Sequence, residues 1–338
     1  RYIADDDVTN TMLSSLNSNI PIVYRDPSVA GIMHNKFIIV DANSTNNSWV
    51  MGGSTNWTNP TNLFNDYNNL IFIQDEAIAK AYTLEFEEMW AGTFGANKLD
   101  NTPHKFVVDG KNVEVYFSPS DQTTSHILEI IDNVDYSFEF GLLGFTRDDL
   151  GLAVIAKNGE FGVNVRGIIE QENITGSEFA DLIAAGVNVK SHMGITYSFH
   201  HKYAIADVNV VASDPTILTG SHNWSSNAEN NSDENTLVIH DATIANIYLQ
   251  EFTERFNELG TSGIDELIQL DITIFPNPSA GKVKIKSDVV IQQINLYAVD
   301  GKLLNTTEES VIQIKTKGIY FIKIITEKGI AVKKIVIE

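Results

Sequence analysis

The chain has 338 residues, enough for more than one domain, and 43% of them are hydrophobic. It contains no cysteine, which excludes disulfides and thiolate metal sites, and no apolar run long enough to cross a membrane as a helix. The formal net charge is −21, and it is unevenly spread: residues 1–271 carry 13 Lys+Arg against 38 Asp+Glu, a net of −25, whereas residues 272–338 carry 10 against 6, a net of +4. An acidic front part repels polyanions at long range, which disfavours an extended nucleic-acid surface but leaves room for a locally basic pocket.

In chain order, RYIADDDV opens on what reads as the end of a strand, and a short helical stretch follows around Thr11–Leu16. IPIVY (Ile20–Tyr24), the apolar run after His34, WVMGG and NNLIFI read as strands. Ile78, Tyr82, Phe86 and Trp90 fall four apart, so the spacing predicts a helix over Glu76–Trp90. Residues 91–111 are rich in Gly, Asn, Asp and Thr, and 96–112 read as a linker. Strands are expected at VEVYFSP, YSFEFGLLGF, VNVRGIIE and NTLVIH, with helices at Ser125–Ile131, Leu150–Lys157, Phe179–Ala185 and around Tyr248, Phe252 and Phe256. After residue 270 the chain turns Lys-rich, with short alternating strands and turn pairs at Asn277–Pro278, Asp300–Gly301 and Lys317–Gly318. These are the marks of a small all-β module.

One pattern occurs twice. HNKFIIVD (His34–Asp41) and HHKYAIAD (His200–Asp207) both read HxKxxxxD. GGSTNW, with Ser54 and Asn56, follows the first, and TGSHNW, with Ser221 and Asn223, follows the second. Arg1 to His34 is 33 residues and Arg166 to His200 is 34, and AYTLEFEEMW aligns with IYLQEFTERF. The 53 residues between Val113 and Arg166 have no counterpart before Arg1, so the first half is expected to be N-terminally incomplete. The expected organisation is a first half over 1–95, the linker, a second half over 113–262 and a β-sandwich over 271–338.

Side chains on a strand alternate faces. His34 and Lys36 should therefore share a face, as should His200 and Lys202, with Asp41 and Asp207 on the other side. Convergence of the two motifs would bring together two imidazoles, two ammoniums and the Ser/Asn pairs. One neutral imidazole can attack phosphorus while the other protonates the leaving oxygen and later activates water. The lysines and the Ser54/Asn56 and Ser221/Asn223 pairs can hold the non-bridging oxygens. No Asp/Glu/His cage for Mg or Zn is evident, and neither metal nor cofactor is expected.

On these two HxKxxxxD–GSxN motifs, residues 1–260 resemble the phospholipase D superfamily. The resemblance implies an α/β fold: a pseudo-dimeric α/β/α sandwich of two repeated halves. It implies His34 and His200 as nucleophile and general acid, and Lys36, Lys202, Asn56 and Asn223 as phosphate ligands. Asp41 and Asp207 complete the catalytic motif, although strand parity reads them as structural. Of the His200–His201 doublet, only His200 keeps the motif spacing and the face of Lys202. The superfamily also places an acidic residue after GSxN to orient an imidazole. Glu234 fits, and its aligned counterpart is Asn68, with Asp66 two residues earlier. Superfamily habit makes His34 the nucleophile, whereas a Glu234–His200 pairing would favour His200, and both readings stand at this point. His104, His126, His192, His222 and His240 lack repeated context.

IFPNPSAGKVKI, YAVDGKLL, GIYFIKI and the closing KKIVIE resemble the type A C-terminal sorting domain of Bacteroidota type IX secretion. That implies the secretion machinery as a partner and a secreted or cell-surface location. The leading expectation is a phosphodiesterase acting on a phospholipid headgroup ester. The alternatives are a nuclease, which the acidic charge disfavours, and an inactive surface-binding protein.

Overall fold

The computed structural model describes residues 1–259, 272–299, 301–327 and 329–338. The boundaries expected at 262 and 271, and Asp300 of one expected turn, lie outside the described residues.

The first half runs β1 (Tyr2–Ala4), β2 (Ile22–Tyr24), β3 (Phe37–Val40), β4 (Trp49–Gly53), α1 (Pro60–Phe64), β5 (Leu70–Gln74) and α2 (Glu76–Trp90). The helix expected near Thr11 is a 3-10 turn over Thr11–Ser15, with Asn10 accepting from the amide of Met12. The second half runs β6 (Lys105–Val108), β7 (Lys111–Ser118), α3 (Thr123–Asp132), β8 (Ser137–Leu142), α4 (Asp148–Asn158), β9 (Asn164–Ile169), α5 (Phe179–Ala184), β10 (Asn188–Ser191), β11 (Lys202–Ala206), β12 (Thr216–Gly220), α6 (Ser226–Asn230), β13 (Glu234–His240) and α7 (Ala242–Glu258).

Eight strands form one mixed sheet in the order β10-β9-β8-β11-β12-β13-β7-β6. Its inner strands β8, β11, β12 and β13 are buried on both faces, which is why they read as continuous apolar runs. Phe138, Phe140, Ala204, Ala206, Leu218 and Val238 face a core capped by α3, α4 and α5. Val113, Val115, Phe117, Tyr203, Ile205, Ile217, Leu237 and Ile239 face a second core, shared with α7 and with Val50, Ile78 and Tyr82 of the first half. This shared core is the pseudo-dimer interface. The repeat is visible in detail: the Arg1 guanidinium lies over the rings of Phe86 and Trp90, and that of Arg166 over those of Phe252 and Phe256.

The halves differ at the outer face. In the second half β8 lies between β9 and β11. In the first half β1 and β2 form a separate two-stranded parallel sheet, and β3, β4 and β5 a separate three-stranded one. A cavity of about 1060 Å³ lies between them, lined by Tyr2, Ile3 and Ala4 on one side and Ile38 and Ile39 on the other. Ile38, Val40 and Phe72 are exposed, whereas their counterparts Ala204, Ala206 and Val238 are buried.

The 96–112 stretch is not a plain linker. It carries β6, which forms a hairpin with β7 and adds an edge to the large sheet. Lys98, in the same stretch, is buried between Glu85 and Asp233. The C-terminal strands β14 (Ile272–Phe275), β15 (Lys282–Ser287), β16 (Ile291–Ala298), β17 (Leu303–Thr307), β18 (Val311–Gln313), β19 (Gly318–Thr326) and β20 (Gly329–Ile337) make sheets in the orders β14-β15-β18 and β17-β16-β19-β20. They enclose their own apolar core. Phe321 and Val332 leave that core to pack against the second half, and Lys323 pairs with Asp181 at 2.6 Å.

Candidate active site

The two motifs meet at the dyad because each half lends a backbone segment to the other. Met33 bridges Asp233 in parallel, and the His34 amide donates to the Asp233 carbonyl at 2.9 Å. Phe199 bridges Tyr67 in the same way, and the His200 amide donates to the Tyr67 carbonyl at 2.8 Å. The residue that follows each lender therefore faces the imidazole of the opposite half.

Glu234 follows Asp233, and both its oxygens lie within 2.8 Å of Nδ1 of His34. Asn68 follows Tyr67, and its Oδ1 accepts from Nδ1 of His200 at 3.0 Å, together with the Ser54 carbonyl at 3.0 Å. This corrects the expected Glu234–His200 pairing: the carboxylate orients the first motif's imidazole and the amide the second's. Both rings carry their proton on Nδ1 and leave Nε2 as a free base. Nε2 of His200 lies 3.2 Å from the Asn56 amide nitrogen.

Lys36 and Lys202 are buried, and each donates to the carbonyl of its own motif histidine at 2.6 Å. Burial pulls Lys36 down to about 7, against the pull of Glu234, and pulls Lys202 well below the ordinary lysine range, with Lys36 adding to the effect. Burial also lowers both imidazoles. His200 falls furthest, because the charges of Lys202, Lys36 and His34 reinforce the burial, whereas Glu234 partly offsets the drop at His34. Burial alone would raise Glu234, but His34 and then Lys36 outweigh it and hold it below the ordinary range. The site thus gathers four cationic or potentially cationic groups around one carboxylate, an arrangement that favours an incoming anion.

Other expected site residues land elsewhere. Ser54 and Ser221 are fully buried, and their hydroxyls accept from the amides of Asn69 at 3.1 Å and Asn235 at 3.0 Å, so they tie strands together rather than face a ligand. The glycine before each serine permits this closeness. A Cβ on Gly53 (φ 148°) would lie 2.2 Å from the Asn69 carbonyl oxygen, and one on Gly220 (φ 152°) 2.1 Å from that of Asn235. Asp207 is structural: its carboxylate accepts from the amides of Asp135, Tyr136 and Ser137 at 2.8–2.9 Å. Asp41 is exposed. Both follow the end of their strand, at φ 50° and 52°, which strand parity does not foresee. Asp66 precedes β5 and accepts from the Ser198 amide at 3.1 Å, bracing the loop ahead of His200 rather than its ring. Asn223 sits behind Gly144, with its Oδ1 buried and unpaired.

His201 is buried between the Asn69 amide at 3.1 Å and Glu251 at 3.5 Å. His192 donates to Glu170 at 2.7 Å, and His222 lies 3.3 Å from Glu229. Asn69 and Asn235 were not singled out by sequence, although each directly follows its imidazole partner. Asn235 reaches across the dyad to Asn35 at 3.0 Å. Among the described residues one group, Asp100, His104 and Asp121, has metal-ligand spacing, and it includes none of the site residues.

The family model "Cardiolipin synthase, PLD-like domain" matches residues 2–90 and 127–256, and "Secretion system C-terminal sorting domain" matches residues 273–338. The mitochondrial cardiolipin hydrolase of Mus musculus is 32% identical over 141 residues, which is 41% of this chain and 60% of that protein. The chain thus spans about six tenths of the length of this curated relative. The phosphatidylserine synthase of Haemophilus influenzae superposes with a TM-score of 0.50 at 14% identity, over 74% of this chain and 70% of that one, a likeness of fold. The phospholipase D family member Nuc from Salmonella typhimurium is 29% identical with a TM-score of 0.38, covering 44% of this chain and 95% of that one.

Proposed function

The chain belongs to the phospholipase D-like domain family, and on that premise we propose that it is a phosphodiesterase cleaving a phospholipid headgroup ester through a phosphohistidine. The observation that carries this reading is the pair of imidazoles, each with Nδ1 anchored and Nε2 left as the basic nitrogen, beside two buried lysines. The lipid assignment leans on the names of the relatives, a cardiolipin hydrolase among them.

His34 is the nucleophile in this reading. Glu234 accepts a hydrogen bond from its Nδ1–H and enriches Nε2, which attacks phosphorus in line with the leaving oxygen. Lys36, Lys202 and Asn56 hold the non-bridging oxygens. The bound diester anion offsets the cationic surroundings that depress His200, so His200 takes up a proton from solvent on binding and passes it from Nε2 to the leaving alcohol. The N–P bond forms as the P–O bond breaks. Neutral His200 then takes a proton from water as that water displaces His34 from phosphorus, and it gives the proton up to solvent as the phosphomonoester leaves, so both rings return to their starting states. The sorting domain addresses the chain for export to the cell surface or beyond.

The test is incubation of the whole chain, without added metal, with phosphatidylcholine vesicles and, in parallel, with single-stranded DNA, using His34→Ala and His200→Ala as controls. Choline release lost in both variants supports the reading. DNA cleavage with silence on lipid moves the chain to nucleic-acid substrates.

A further inference from the structure

His200 enters its strand at one end of the large sheet. Lys202, Leu142, Ile169 and Ser191 lie in register across β11, β8, β9 and β10, so the loops after Ile169 and Ser191 emerge beside the site. Glu170 ties them to it, accepting from His192 at 2.7 Å and from the Phe199 amide at 2.9 Å. The segment after α1 joins the same rim, because Asp66 accepts from the Ser198 amide and the Tyr67 amide donates to the Ser198 carbonyl.

These three segments expose apolar side chains. Phe64 is 75% exposed, and Ile174, Met193, Ile195 and Tyr197 are each 39–49% exposed. Tyr197 is held out with φ 68°, a conformation costly for an aromatic residue. Asn173 donates to the Met193 sulfur at 3.3 Å, joining two of the tips. The tips also lack charge: Asn59–Asn65, Asn173–Ser177 and Ser191–Phe199 contain no Asp, Glu, Lys or Arg, in a chain that is 20% charged with a net of −21. Single exposed apolar residues are ordinary, but a group of them on joined loop tips beside the site, with the flanking Asp66, Glu170 and Glu172 half-buried, marks a contact surface.

We propose that these three loop tips form a docking rim that seats the site mouth on a zwitterionic phospholipid surface, an assignment that rests on the phospholipid reading above. Aromatic and aliphatic tips enter the headgroup boundary without bringing a charge into it. The acidic body repels an anionic surface, and a polyanion for the same reason, whereas a zwitterionic surface meets no such repulsion. The rim is tied to the backbone on either side of His200 through Phe199 and Tyr67, so a headgroup phosphate seated there has a short path to the histidines.

The experiment is flotation of the whole chain, in a His34→Ala background, with phosphatidylcholine vesicles and with vesicles carrying added phosphatidylglycerol. It compares the Ile195→Ser/Tyr197→Ser double variant and Phe64→Ser, with melting temperatures recorded to verify folding. Hydrolysis of the soluble diester bis(p-nitrophenyl) phosphate is measured in the His34 background of the same variants. The expected result is a loss of vesicle partitioning on the order of tenfold in the double variant, with no gain from phosphatidylglycerol and hydrolysis of the soluble diester retained. Partitioning equal to wild type in folded variants overturns the proposal, as does binding that requires phosphatidylglycerol. A dimer that the double variant dissolves gives the surface to a second copy and also overturns it. Vesicle binding sensitive to the variants, with no headgroup released by the active chain, supports the rim and rejects the phospholipid-cleavage reading instead.

Discussion

Glu234 of the second half holds Nδ1 of His34 of the first half at 2.7 Å, across the pseudo-dyad and 200 residues away in sequence. The carboxylate is 2% exposed, so its charge acts on the ring with little screening. Glu234→Gln keeps a hydrogen-bond acceptor and removes the charge. Turnover should fall by about 10²–10³-fold, with substrate affinity changed far less. The sign of the pH effect follows from linkage: Glu234 raises the His34 pKa, so its loss should move the acid limb of the rate profile to lower pH. Steady-state kinetics across pH 4–9 (roughly the range of these groups) reads both effects. An unchanged acid limb would mean that His34 is not the nucleophile.

Asn68 places an amide where Glu234 places a carboxylate, and this inequality divides the labour between the rings. Burial first, and then the surrounding cations, hold His200 far below the ordinary histidine range. Asn68→Asp would add a negative charge beside Nδ1 and raise the His200 pKa, by about 1–2 units. The basic limb of the rate profile, which reports His200 as an acid, should move up by a similar amount. Trapping the intermediate by acid quench and mapping the phosphopeptide should place the label on His34 in both proteins. Label on His200 in the wild type would reverse the assigned roles.

The cationic excess predicts how the empty site responds to an anion. Lys36 sits near 7 because burial strips it of solvent, and a tetrahedral oxyanion should restore its charge and that of both imidazoles. Orthovanadate or phosphate should therefore bind with proton uptake near neutral pH, read by calorimetry in buffers of different ionisation enthalpy. At about 100 times Kd the stabilisation should approach about 2.7 kcal/mol. Lys36→Met should reduce both the proton uptake and the stabilisation.

What the sequence makes legible, and what it hides, follows from range. The helix Glu76–Trp90 is written in a local period, and the motif pair is written in repetition, so both can be read without contacts. The choice of which imidazole meets Glu234 depends on a swap of backbone between halves, and no local pattern encodes it. Ser54 and Ser221 mislead for a similar reason: the face they share with Asn56 and Asn223 on an ideal strand is lost where Gly53 and Gly220 bend the chain. The β6–β7 hairpin did leave a mark. Asp109 (φ 48°) and Gly110 (φ 75°) form its turn, in a stretch whose Gly, Asn and Asp content reads as linker.

Lys98 tests whether that stretch braces the site. Its ammonium is fully buried, paired with Glu85 and with Asp233 at 3.2 Å, and it donates to the Ser118 carbonyl at 3.0 Å. Asp233 in turn supplies the carbonyl that holds the His34 amide and directly precedes Glu234. Lys98→Met would leave two buried carboxylates without their shared counter-charge, at a cost of about 3–5 kcal/mol. Urea denaturation should report that loss of stability. Because Glu85 and Asp233 would then be held neutral by protonation, stability should recover as the pH is lowered from 7 toward 5 (roughly the range in which such carboxyls titrate). A folded variant with wild-type stability and no such recovery would show that Lys98 lies in a strand connection with no part in holding the dyad.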